Sequence, residues 1–242
     1  MKGNLLFGQI LKSAAITVRD NLQIFSCFAA IFALVNYIFA RIETNYPTVI
    51  WGHLLAAYIF YYSFVRVYFW KKPIFETDNF LRSAGKMLII VLLAFTAVMF
   101  LRISFGILKL FAKSLAVFPD IYNFLFDSYL FLHDWRYTSI FMFLFLFGIM
   151  MFTFFIPCFA WISTVIGREQ SIVFSVIETK KYYAKIFTLY LVIFGVFPLF
   201  LTVVLIGLHL PLIITCFISA CFSILQIVIY LKMYEYLFLQ KQ

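Results

Sequence analysis

The chain has 242 residues, of which 65 % are hydrophobic and only 12 % charged, with a formal charge of +9 and a mean hydropathy of +1.04. A water-soluble domain of this length cannot hide that much apolar side chain, because its outside must face water. The basic residues are spread over connections beside apolar runs and form no block, which excludes a nucleic-acid partner and suits an anionic membrane surface.

Several apolar runs reach the ~18 residues that mark a membrane-spanning helix. The fold class read from them is an all-α polytopic membrane protein, since backbone groups in lipid must be satisfied within their own segment. The runs are continuous rather than alternating, which argues against a barrel.

In chain order, residues 4–20 read as an interfacial helix. Phe7, Ile10, Leu11, Ala14, Val18 and Leu22 recur at helical spacing, with Gln9, Lys12, Ser13 and Arg19 on the other side. Asp20-Asn21 marks a break, and a first span follows over 22–40, in which Asn36 calls for a partner on another helix. A second span, 49–70, is rich in aromatics and ends at Lys71-Lys72-Pro73. A short surface segment over 74–86 leads into a third span, 87–111, which carries Arg102 and Lys109. Residues 119–134 read as an outer-side interfacial segment whose Asp120, Asp127 and Asp134 share a helix face turned to water. A fourth span lies within 138–167, with Pro157 as its kink point. Residues 168–185 form a further surface helix, followed by spans at 186–208, with Pro198 as a second kink, and at 212–231.

The surface helix plus span recurs. Shifting the N-terminal stretch by 162 positions lays Ile10 on Ile172, Ser13 on Ser175, Thr17 on Thr179, Ile24 on Ile186 and Phe25 on Phe187, with Arg19 on Lys181. Ser83-Ala84 echoes Ser13-Ala14 and hints at a third copy.

Six spans put both termini on one side. Thirteen basic residues fall on that side, three (Arg41, Lys113 and Arg136) on the other, and Arg66, Arg102 and Lys109 within spans. The positive-inside rule makes the richer side cytoplasmic. The amphipathic collars then lie on the cytoplasmic leaflet, with Arg19, Arg82, Lys180, Lys181 and Lys185 as candidate contacts to anionic lipid or to a protein partner.

Chemistry-bearing motifs are sparse. All ten acidic residues lie outside the six spans, against a proton- or sodium-coupled carrier. Arg66 and Lys109 sit near span ends, where they can snorkel. Arg102 lies deeper, at a cost of roughly 2.5–3.5 kcal/mol at mid-span, and is the candidate intramembrane functional residue for an anionic group. His53, His133 and His209 are far apart in sequence and read as interfacial residues. Cys27, Cys158, Cys216 and Cys221 lie in apolar runs without ligand spacing. No nucleophile, P-loop or metalloprotease motif is present, so neither an enzyme nor a cofactor is expected.

Glu169, Ser171, Ser175 and the Lys180-Lys181 pair, followed by a turn into a span, resemble a segment of the YciC-like six-span bacterial membrane proteins. The same segment marks the membrane domain fused to some glycerophosphodiester phosphodiesterases. The resemblance covers the whole chain in topology and about 25 residues in motif, with YYAK in place of the family's Leu-Lys-Gly-like turn. It implies a multi-pass protein of the bacterial inner membrane, without the phosphodiesterase activity. The expectation is a non-enzymatic accessory or scaffold subunit working at the cytoplasmic leaflet through lipid or protein partners. The alternative is a transporter or permease for an apolar or lipid-like solute.

Overall fold

In the computed structural model the described residues are 7–43, 49–70, 74–115, 145 and 147–239, and all their regular structure is helical. The helices are α1 (Phe7–Asp20), α2 (Leu22–Glu43), α3 (Ile50–Tyr68), α4 (Thr77–Leu115) and α5 (Phe147–Val165). They continue with α6 (Ile172–Thr179), α7 (183–207) and α8 (Leu212–Leu239). The 119–134 segment, with Asp120, Asp127 and Asp134, lies outside the described residues, as does the start of the expected span at 138.

Five segments are long and apolar enough to cross a membrane: Leu22–Ile42, Thr77–Phe100, Phe147–Val165, Ile172–Leu205 and Leu212–Leu239. Their outward faces carry large apolar side chains. On α4 alone Leu88, Ile89, Leu92, Leu93, Phe95 and Phe100 are exposed. A contiguous apolar surface of this extent is tolerated only against lipid or another protein. α3 has 19 residues but stands apart from the five, because Trp51, His53, four tyrosines and Arg66 lower its hydropathy.

α5 is the central helix. Within its span 61 % of the residues are buried, against 17–24 % in the other four. α3, α4 and α6 pack around it, while α8 runs along α2 and against α1. α1 buries Ile10 and Ala14, the middle of its apolar stripe, and leaves Arg19 exposed. Asn21 separates α1 from α2. Its side-chain amide and its backbone N–H both donate to the Thr17 carbonyl, the local competition that makes asparagine a helix punctuator.

One difference from the sequence reading stands out. From Thr77 on, the surface segment 74–86 and the span that follows are one uninterrupted helix, the 39-residue α4. Polarity changes at Lys86, but no breaker stands there, and Gly85 alone does not stop a helix. At 1.5 Å per residue α4 is ~58 Å long, well beyond the ~30 Å hydrocarbon core. At α6 the hydroxyl-bearing residues face inward. Ser175 and Thr179 are fully buried, while Val173, Phe174 and Ile177 face outward. The hydroxyls can go inside because each is satisfied by its own helix: Thr179 donates to the Ser175 carbonyl at 2.9 Å, and Ser175 to that of Ser171 at 3.4 Å.

The two stretches aligned by the 162-position shift share one side-chain hydrogen bond, of a kind that Thr96, Thr153 and Thr188 also make in their helices. Thr17 donates to the Ser13 carbonyl at 2.9 Å, and 162 positions on Thr179 makes the same bond to Ser175.

The end of α5 is a Schellman turn. Gly167 stands at φ +80°, its N–H bonded to the Thr164 carbonyl, and the Arg168 N–H reaches the Ser163 carbonyl at 2.7 Å. Gly167→Ala is expected to lower stability by ~1 kcal/mol, the cost of a Cβ in a left-handed conformation. Gly85→Ala, in mid-helix with open space around it, should raise it by about 0.5–1 kcal/mol. Thermal unfolding of the two variants in detergent checks both signs.

Candidate functional site

The termini of several helices meet at one end of the bundle. Phe25 at the start of α2 lies 5.5 Å from Phe64 near the end of α3. Phe159 and Phe174 on α5 and α6 contact Tyr234 and Phe238 at the end of α8. This end therefore collects Arg19, Arg66, Arg82, Lys86, Arg168, Lys180, Lys181, Lys185 and Lys232. Of the sequence candidates, Arg82 pairs with Glu169 at 3.3 Å and Arg19 with Asp20 at 3.0 Å, both pairs exposed. Lys181 lies 4.0 Å from Glu178 and over the Tyr182 ring, and Lys180 and Lys185 are exposed. Exposed pairs of this kind contribute only ~0–1 kcal/mol each. Arg102 lies on α4, and its side chain is outside the described residues.

The charged group that matters most was read as a snorkelling residue. Arg66 is only 2 % exposed and points into the bundle. Its Nη1 donates to the Val165 carbonyl at 3.2 Å, its Nη2 pairs with Glu76 at 3.1 Å, and its guanidinium lies 5.9 Å from the centre of the Tyr62 ring. Val165 is the last residue of α5, where carbonyls lack intrahelical partners and the dipole is negative. Lys86 reaches the same helix end from α4. Its Nζ donates to Thr164 Oγ1 at 2.6 Å and to the Gln170 carbonyl at 2.8 Å. Two cations from two neighbouring helices thus hold the buried end of α5. Tyr58 and Ser83, 2.6 Å apart, and Tyr62, donating to the Glu76 carbonyl at 3.3 Å, extend the network between α3 and α4.

Beneath this end lies an apolar cavity of about 290 Å³, bounded by α3, α4, α5, α7 and α8. Its walls are mostly ring and alkyl carbon, including Tyr61, Met87, Phe154, Trp161, Phe194, Ile227 and Leu231. Three polar side chains reach it, from Ser223, Gln226 and Tyr230. A volume just under the ~300–1,000 Å³ of ordinary ligand pockets, with an apolar lining and few polar groups, fits one hydrocarbon chain or a small apolar molecule.

The two prolines flagged in the sequence bear on this cavity. Each directly follows a π-helical stretch, Met151–Phe155 before Pro157 and Leu191–Val196 before Pro198. Such stretches are among the recognised causes of helix kinks and recur at functional sites. The Phe197 N–H bonds back five residues to the Val192 carbonyl, and the same step from Pro198 would need an N–H that proline lacks. Gln226 supplies the missing donor, its Nε2 lying 2.7 Å from the Ile193 carbonyl. Tyr230 donates to the Phe155 carbonyl at 2.7 Å. α8 thereby ties down both irregular segments from inside the cavity.

Elsewhere Asn36 finds the partner its position called for, with His53 Nε2 3.0 Å from its Oδ1. Among the described residues no three His, Cys, Asp or Glu side chains come together as metal ligands, and the four cysteines are free. The chain matches no family model, no curated protein and no solved structure.

Arg66→Met would take its donor from the buried Val165 carbonyl and leave Glu76 only the Asn79 amide, at a cost of ~1–3 kcal/mol. Arg82→Met, which removes an exposed pair, is expected to change stability by less than ~1 kcal/mol. Equal effects in detergent unfolding would refute the central place given to Arg66.

Proposed function

We propose that this chain is a non-enzymatic protein of the bacterial inner membrane that crosses the bilayer six times and works at the cytoplasmic leaflet by binding lipid. The observation that carries the reading is the apolar cavity of about 290 Å³ under the basic end of the bundle. A bound hydrocarbon chain is the ligand its lining suits. The orientation rests on charge, with the basic end facing the anionic cytoplasmic surface. α6 supports the same placement, since its outward Val173, Phe174 and Ile177, followed by Lys180, Lys181 and Lys185, suit a helix lying in the headgroup region. An accessory role follows, in which a protein partner meets the protein on this same face.

The test is to purify the protein from native membranes in mild detergent and identify what travels with it by mass spectrometry. A stoichiometric lipid is expected. Ile227→Trp, which fills the cavity, should reduce it at least fivefold while the protein still accumulates in the membrane. Wild-type protein free of lipid, or lipid retained equally by the filled variant, would reject the cavity as the binding site.

A second reading, a carrier for an apolar or lipid-like solute, is favoured by the π-helical stretches before Pro157 and Pro198. Irregular segments facing a cavity are where transport sites are built. Under it, Arg102→Ala lowers flux in reconstituted vesicles with abundance unchanged. Unaltered flux would remove Arg102 from any transport role.

A further inference from the structure

A second cleft, of about 460 Å³, opens beside the end of α5. It is lined by Arg82 and Lys86 from α4, Thr164 from α5, and Glu169, Gln170 and Ser171 from the turn into α6. Its chemistry is of both signs. Arg82 and Lys86 are cationic donors, and the Ser171 hydroxyl, which caps α6 by accepting from the Phe174 N–H, still has a proton to give. Glu169 is an anion on the rim, 87 % exposed. Gln170 Oε1 is buried without a hydrogen-bond partner among the described residues. A buried carbonyl oxygen left unpaired costs ~1–3 kcal/mol, so its presence calls for a donor that binding brings.

The surroundings say where that donor comes from. Lys86 and Thr164 line the cleft, while Met87 and Trp161, the next residue on α4 and one turn back on α5, line the apolar cavity. On the same two helices Leu81 and Leu88 of α4 and Val173 and Ile177 of α6 are exposed. A polar cleft of mixed charge, on helices that also wall an apolar cavity and expose apolar side chains, has the layout of a lipid headgroup site.

We propose that the cleft binds the phosphoethanolamine headgroup of a membrane lipid, an assignment that rests on the lipid reading above and specifies its ligand. The phosphate oxygens accept from Lys86, Arg82 and the Ser171 hydroxyl. The ammonium donates to Gln170 Oε1 and faces Glu169. A phosphocholine headgroup has no N–H to give and leaves Gln170 unsatisfied. A phosphoglycerol headgroup carries no positive charge for Glu169.

The experiment uses the full chain, delipidated and presented in detergent with phosphatidylethanolamine, phosphatidylcholine, phosphatidylglycerol or soluble glycerophosphoethanolamine. Bound lipid is counted by native mass spectrometry and checked by thermal shift. Phosphatidylethanolamine is expected to be retained about tenfold over the other two lipids. Gln170→Leu should abolish its advantage over phosphatidylcholine without lowering the thermal stability of the lipid-free protein. Lys86→Met should weaken every phospholipid, and Lys86→Arg should restore retention. Equal retention of phosphatidylethanolamine and phosphatidylcholine by the wild type, or a preference that survives Gln170→Leu, overturns the headgroup assignment. If the lipid retained without preference is still lost in Ile227→Trp, the cavity reading stands while this one fails. Glycerophosphoethanolamine bound as tightly as the lipid, with the same dependence on Lys86 and Gln170, would assign the cleft to a soluble phosphoester and overturn its lipid source.

Discussion

The last turn of a helix presents carbonyl groups that nothing within the helix can satisfy. At the surface of a soluble protein water takes them. At the end of α5, packed among α3, α4, α6 and α8, the protein must supply the donors itself. Ser163 and Thr164 are served by the backbone of the turn at Gly167, and Val165 by Arg66. Lys86 joins the Thr164 hydroxyl to the Gln170 carbonyl across the same turn. The dipole makes this the end where positive charge is welcome, so a guanidinium and an ammonium are suited to it beyond their hydrogen bonds. Because the donors come from two other helices, satisfying α5 also fixes where α3 and α4 end and begin. The cavity and the charged cleft both take their walls from that arrangement.

The same requirement recurs inside the apolar layer. A proline removes a donor and crowds the preceding turn, and the chain answers with a π-helical stretch before each of Pro157 and Pro198. Widening the helix relieves the crowding but leaves carbonyls pointing inward. Gln226 and Tyr230, one turn apart on α8, cover one in each helix. Polar side chains in this layer are explained by irregular backbone, and the irregular backbone gives the cavity its space. Function and packing are therefore hard to separate at Gln226, whereas Ile227 touches the cavity without holding a carbonyl.

What could be read from the sequence follows from the kind of signal involved. Length and hydropathy of the runs are local, so the helices were legible to within a few residues at most ends. So was the need of Asn36 for a partner. Two features were not legible. Arg66 near a span end looks like any snorkelling arginine, since nothing nearby in sequence says that Val165, 99 positions away, will present a carbonyl to it. Nor was the inward face of α6, with Ser175 and Thr179, legible, because serine and threonine count as polar in any pattern. Their hydroxyls are satisfied within one turn, which lets them pack inward while valine and isoleucine face out. The cleft of Arg82, Lys86, Glu169 and Gln170 is likewise a product of tertiary contact between segments about 80 residues apart.

α3 shows how far average hydropathy can mislead in such a bundle. At 19 residues it is ~28 Å long, close to the ~30 Å hydrocarbon core, yet it is not among the five segments apolar enough to cross a membrane. Four of the residues that lower its hydropathy are turned to neighbours, while Trp51 is exposed. His53 meets Asn36 on α2, Tyr58 meets Ser83 on α4, Tyr62 meets the Glu76 carbonyl and Arg66 meets α5. A polar group paired inside a bundle does not face lipid, so it does not carry the cost that a hydropathy scale assigns to it. The sixth crossing that we propose is therefore compatible with its composition, on one condition. α3 must cross together with α2, α4 and α5, because alone in lipid its histidine, tyrosines and arginine would have no partners. The helix that looks least like a membrane span is then the one whose place depends most on the others.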